Sequence, residues 1–231
     1  LTEAVRRATG EELEIVGASR TDGGAHARGQ VVHFDTENPM PGDKWAYILN
    51  RVLPEDCRAV ASQDVEDAFH ARFSATSRTY EYRILIGEGD PFRGRYAHIY
   101  WKPLDIEAMR EAAKALVGEH DFRGYTEEVG PEVENTVRIL NSIRLESPDE
   151  QVSLTINGTA FLRGMMRRIA GMLFEIGRDH RPIADAKRLL TKERDAMQWP
   201  VVLPARGLTL MEVRYDVPGH DSRRKDDDSD E

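Results

Sequence analysis

Residues 77 to 86 read SRTYEYRILI, and this alternation constrains the fold more than any other feature of the chain. Successive side chains of a strand point to opposite faces, so Tyr80, Tyr82 and Ile84 fall on one face and Thr79, Glu81 and Arg83 on the other. A second periodicity appears in TAFLRGMMRRIAGMLFEIG at 159 to 177, where Leu162, Met165, Met166, Ile169, Leu173 and Ile176 recur at helical spacing. That stripe is expected to bury against sheet, with its methionines as packing residues.

Extending the same reading predicts strands at 13 to 18, 29 to 35, 57 to 61, 78 to 86, 95 to 101, 136 to 146, 151 to 158 and 208 to 215. Helices are expected at 43 to 52, 104 to 117, 160 to 177 and 183 to 191. Strands in runs, interrupted by a few helices without regular alternation, point to an α+β fold on largely antiparallel sheet. GEGDPFRGRY at 87 to 96 reads as a loop between strands. LTEAVRRAT at the start resembles the end of an amphipathic helix, which suggests an N-terminally truncated chain.

The chain has 231 residues, 40% of them hydrophobic, enough for a real core. Its one cysteine, Cys57, excludes an intrachain disulfide; no Cys/His set has zinc spacing and no long apolar run appears, so a cytoplasmic setting is expected. A net charge of -9 argues at first against nucleic acid. Its distribution argues back. The tail DSRRKDDDSDE supplies part of the negative charge, and 219 to 231 is expected to be an acidic disordered extension. Phe161 to Arg181 instead holds Arg163, Arg167, Arg168, Arg178 and Arg181 against Glu175 and Asp179.

Chemistry concentrates in TDGGAH. Asp22 lies where a strand gives way to a turn, and Gly23 with Gly24 allows another molecule to approach the backbone closely; an ordinary Asx turn uses the same letters. His26 fits either a loop hydrogen bond or an acid–base or metal role with His33. Tyr80 fits either a core aromatic or a flat surface on which a base stacks. Arg163 and Arg167, four apart, are expected on one face near the start of the helix, where a guanidinium aimed at a carboxylate would orient it. Two further readings are an RNA-binding module without chemistry and a metal-assisted hydrolase using Asp22, His26 and His33.

Four blocks taken together resemble the tRNA pseudouridine synthase A family. SRTDGGAHARGQVVHF is similar to its G-R-T-D-A-G-V-H with a following Q-V-x-x-F, and FHARFSATSRTYEYR to its F-H-A-R-F-S-A-x-x-R-x-Y-x-Y. FLRGMMRRIAG resembles F-x-x-x-M-x-R-x-x-x-G, and Ala205, Gly207 and Leu208 resemble the closing A-x-G-L. Ser19, Gly23, Ala25 and Asn135 depart from the family's usual Gly, Ala, Val and Arg.

The resemblance, taken as an archaeal-type member, implies the pseudouridine synthase fold, with two α/β halves and largely antiparallel sheet flanking a central RNA-binding cleft. The halves would be 1–72, carrying the Asp loop, and 73–218, completing the site. The implied activity is isomerisation of uridine to pseudouridine at positions 38 to 40 of the tRNA anticodon stem-loop, by a homodimer, without metal or organic cofactor. Asp22 then corresponds to the catalytic aspartate, Tyr80 to the active-site tyrosine and Arg167 to the arginine that pairs with the aspartate. Arg20 corresponds to the arginine associated with displacing the base and Leu208 to an apolar contact; His26 and Arg163 are expected at the substrate.

Overall fold

The computed structural model describes residues 1–126 and 135–216. The acidic tail expected at 219 to 231 lies outside the described residues. In chain order the elements are α1 (Thr2–Thr9), β1 (Val16–Gly17), β2 (His26–Ala27), β3 (Val32–His33), α2 (Trp45–Leu49), β4 (Ala75–Ile86) and β5 (His98–Tyr100). There follow α3 (Ile106–Lys114), β6 (Gly118–Asp121), β7 (Val137–Glu146), β8 (Gln151–Gly158), α4 (Met165–Gly177), α5 (Asp185–Arg188) and β9 (Leu208–Tyr215). Short 3-10 turns at Arg93–Arg95 and Ala205–Gly207 matter for the site.

The chain divides into two units, the first formed by Leu1–Arg20 with Val31–Ala75 and the second by Thr21–Gln30 with Thr76 onward. In the first, α1 buries Ala4 and Val5 against Trp45 and Leu49 of α2, and Phe34 meets Trp45 edge-on with ring centroids 5.0 Å apart. β1 and β3 form a short antiparallel pair. The strand expected at 57 to 61 does not form. The Asn50 side chain takes its place as partner, donating to the Ala59 carbonyl and accepting from the Ala59 amide, both at 2.8 Å. A side-chain amide thus satisfies backbone groups that a ladder would otherwise have to pair.

The second unit is built on a seven-stranded sheet, ordered β2-β9-β4-β8-β7-β6 with β5 also beside β4. β4, β8, β7 and β6 pair antiparallel in succession, whereas β2 runs parallel to β9 and β5 parallel to β4. The fold is therefore α+β with a mostly antiparallel sheet. Tyr80, Tyr82 and Ile84 of β4 are at most 4% exposed, which places the expected face in the core. The stripe of α4 is buried from Leu162 to Ile176 as well, each such side chain contributing about 1.5–3 kcal/mol through removal from water.

The helix expected from 160 begins later. Gly164 has φ 68, and the helical turns start at Met165. Arg163 therefore lies outside α4 and does not share a helical face with Arg167 as expected. The arginines of the basic stretch are also largely absorbed by the fold. Arg168 donates to the Pro200 carbonyl at 2.8 Å, Arg178 lies over Phe174, and Arg181 reaches Glu175 and Asp185 at 3.2 and 3.6 Å.

Candidate active site

Asp22 begins a four-residue turn whose closing bond runs from the Ala25 amide to the Asp22 carbonyl, 3.0 Å. Gly24, third in the turn, has φ 87, the conformation that a type II turn demands and that glycine adopts without strain. The main-chain carbonyl closes the turn, so the Asp22 carboxylate remains available for a longer reach. Arg167 Nη1 donates to Asp22 Oδ2 at 2.6 Å, across 145 residues of sequence. The Arg167 and Asp22 side chains are 17% and 30% exposed, respectively. Water still screens a pair so placed, and the short charge-assisted bond does more to orient the carboxylate than to stabilise the fold.

The turn is stitched down immediately after Ala25. His26 and Ala27 pair in register with Thr209 and Leu210 of β9, and the amides of Arg28 and Gly29 both donate to the Leu210 carbonyl, at 2.7 and 3.2 Å. Gly29 is required by proximity: a Cβ there would lie 2.4 Å from the Met211 carbonyl oxygen. The His26 ring bonds through Nε2 to the Arg95 carbonyl at 3.0 Å and packs 4.8 Å from the Tyr96 ring. Of the two readings left open for His26, this geometry is the loop hydrogen bond.

Arg167 is aimed by the segment that precedes β9. Its Nε donates to the Leu203 carbonyl at 2.8 Å, while the Leu203 amide donates back to the Arg167 carbonyl at 3.4 Å. One residue later the Pro204 carbonyl accepts from the Tyr82 hydroxyl at 2.7 Å. A Cβ on Gly24 would lie 3.9 Å from the Ala205 side chain, and Gly207 lies so close to Tyr82 that a Cβ would sit 2.6 Å from its ring. The strap 199–207 thus joins α4, β4 and the Asp22 turn. Burial pushes the Tyr82 hydroxyl well above the ordinary phenol range against the opposing pull of Arg167 and Arg206, so it acts as a neutral donor.

Other residues singled out from sequence are placed as follows. Tyr80 is 4% exposed and meets Phe161 edge-on at 5.0 Å. Leu208 starts β9 and is buried, Arg163 is exposed, and exposed Arg20 ends the first unit's initial segment. His33 Nδ1 accepts from the Ala71 amide at 3.2 Å. Among the described residues no group of three His, Cys, Asp or Glu side chains is placed to hold a metal ion. Leu203, Pro204 and Tyr82 were not singled out as site residues. The alternation that put Tyr82 on the Tyr80 face was the available signal.

Residues 112–216 match the family model described as tRNA pseudouridine synthase. The chain is 40% identical over 213 residues to a tRNA pseudouridine synthase A of Brevibacillus brevis, covering 92% of this chain and 86% of that one. It is 37% identical over 216 residues to tRNA pseudouridine synthase A 2 of Clostridium tetani, covering 93% and 86%. With a tRNA pseudouridine synthase A of Acetivibrio thermocellus it shares 38% identity over 217 residues, covering 93% and 88%. These relatives are bacterial, and the archaeal-type expectation finds no support among them.

Proposed function

We infer the reaction from one premise: this chain belongs to the tRNA pseudouridine synthase A family. It is an isomerase that converts uridine to pseudouridine in tRNA. The finer reading is that it acts in the anticodon stem-loop, at positions 38 to 40, as a cytoplasmic homodimer using no cofactor. The observation that carries the site assignment is the bond between Arg167 and Asp22, because it joins the two family positions at which an ionised acid and its orienting cation are expected.

The reaction breaks the C1'–N1 bond, turns the uracil and joins C5 to C1'. C5 gives up a proton and N1 takes one up, so the product is an isomer; the base must leave its stack to be reached, at a cost of a few kcal/mol, and remain enclosed while detached. In this reading Asp22 is the catalytic group, acting as nucleophile or as base on the ribose; both roles require the carboxylate. Arg167 holds it in one direction. Tyr80 forms an aromatic wall and is the candidate to assist removal of the C5 proton. Arg20 fills the vacated stack, Leu208 contacts the uracil, and His26 and Arg163 lie toward the RNA.

Incubation of the protein with unmodified tRNA transcript, followed by mapping of pseudouridine by position, tests the reading. Product at 38 to 40 is expected from the wild type, and none from Asp22→Asn with tRNA affinity retained. Retained product in Asp22→Asn would overturn the assignment.

A further inference from the structure

The arginines of 161 to 181 are largely engaged inside the fold, yet a chain of net charge -9 that binds RNA needs exposed cations near its site. The loop 91–96, PFRGRY, supplies them. Phe92 is 79% and Tyr96 50% exposed, and Arg93 and Arg95 between them are exposed as well. Neither arginine is paired to a carboxylate among the described residues, in contrast to Arg83, Arg167 and Arg181. From Pro91 to Lys102 the sequence contains no acid.

This loop is a built element. The Gly94 amide donates to the Asp90 carbonyl at 2.7 Å, the Asp90 carboxylate accepts from the Phe92 amide at 2.7 Å, and the Tyr96 amide bonds back to Arg93 at 3.0 Å. A Cβ on Gly94 would lie 2.8 Å from the Ile99 side chain, so the turn is seated on Ile99. It is also tied to the site at two points. His26, four residues beyond Asp22, bonds the Arg95 carbonyl and packs on Tyr96, and the turn Arg93–Arg95 contacts the turn Ala205–Gly207, which carries exposed Arg206.

We propose that Phe92, Arg93, Arg95 and Tyr96 form a platform for the RNA substrate beside the Asp22 turn, the aromatics stacking unpaired bases and the guanidinium groups meeting phosphates. It rests on the reading of the protein as a tRNA-modifying enzyme and extends it by naming where the strand leaving the reactive nucleotide lies. RNA loops present splayed bases to aromatic side chains, and stacking tolerates any base. His26 is then a positioning residue: it fixes the platform relative to the turn that carries Asp22.

Binding of unmodified tRNA transcript to the full chain, measured from low to high potassium chloride, tests the platform independently of turnover. Phe92→Ala is expected to weaken binding roughly 5- to 150-fold, with Phe92→Trp restoring it. Replacing Arg93 and Arg95 together by Gln is expected to reduce the slope of log affinity against log salt by about 1.4–1.8, a readout that a merely structural loop would not move. Unchanged affinity and slope in both variants would overturn the platform. So would unchanged affinity with an altered oligomeric state, which assigns the aromatics to a protein contact. Wild-type turnover on the same transcript reports separately on the isomerase reading.

Discussion

Arg167 is asked to do two things with one planar group: Nε holds the Leu203 carbonyl and Nη1 holds Asp22. A lysine ammonium is a point donor on a flexible stem and does not reproduce that fork. Arg167→Lys is therefore expected to stay folded while kcat falls roughly 100-fold, the loss associated with misplacing a catalytic group by about 1 Å. Single-turnover pseudouridine formation measures it. Tyr82→Phe deprives the Pro204 carbonyl of its donor while keeping the ring that packs on Gly207. Its expected cost is about 1 kcal/mol, or a thermal midpoint lower by about 2–4 °C, together with reduced kcat as the strap loosens. Thermal unfolding beside turnover checks both. Asp22 and Arg167 were legible in the sequence because side chains carry their chemistry. Leu203 and Pro204 were not, since they act through backbone carbonyls, which every residue possesses.

At the scale of elements, α4 and the strap that follows it are fitted through Gly171, where a Cβ would lie 1.8 Å from the Val201 carbonyl oxygen. Gly171→Ala favours an isolated helix by about 1 kcal/mol. Overpacking of a closed contact costs about 1–3 kcal/mol and is expected to prevail, displacing the strap and with it the acceptor for Arg167. A lower midpoint in chemical denaturation together with lost turnover would bear this out, and a stabilised, active variant would refute the fit. Long periodic elements were legible. β8 falls at the expected 151 to 158, where Val152, Leu154 and Ile156 alternate with polar neighbours, and β9 falls at the expected 208 to 215. β2 was missed: two residues are too few to show a period, and their pairing is set by β9. The start of α4 was misplaced because the apolar spacing continues through Leu162 while Gly164, at φ 68, breaks the backbone.

At the scale of the whole molecule, stability should carry the signature of His98. Its Nδ1 is buried without a hydrogen-bond partner among the described residues, and its ring packs edge-on to Phe174 at 5.3 Å. Desolvation, helped by Arg206 and Arg178, holds its protonation below the ordinary histidine range in the folded state. The unfolded chain then binds the extra proton first, so stability is highest above about pH 6.5 and falls as pH drops from there toward the lower folded value. Urea unfolding at a series of pH values should show that decline, flattened in His98→Gln; an equal slope in the variant would assign it elsewhere.

The parallel pairing of His26 and Ala27 with β9 has a consequence for biosynthesis. A ribosome delivers Asp22 ahead of the strand that secures its turn, which follows only after some 180 further residues have been added. Until residues 208–215 clear the exit tunnel, the nascent polypeptide bears its carboxylate on an unanchored bend.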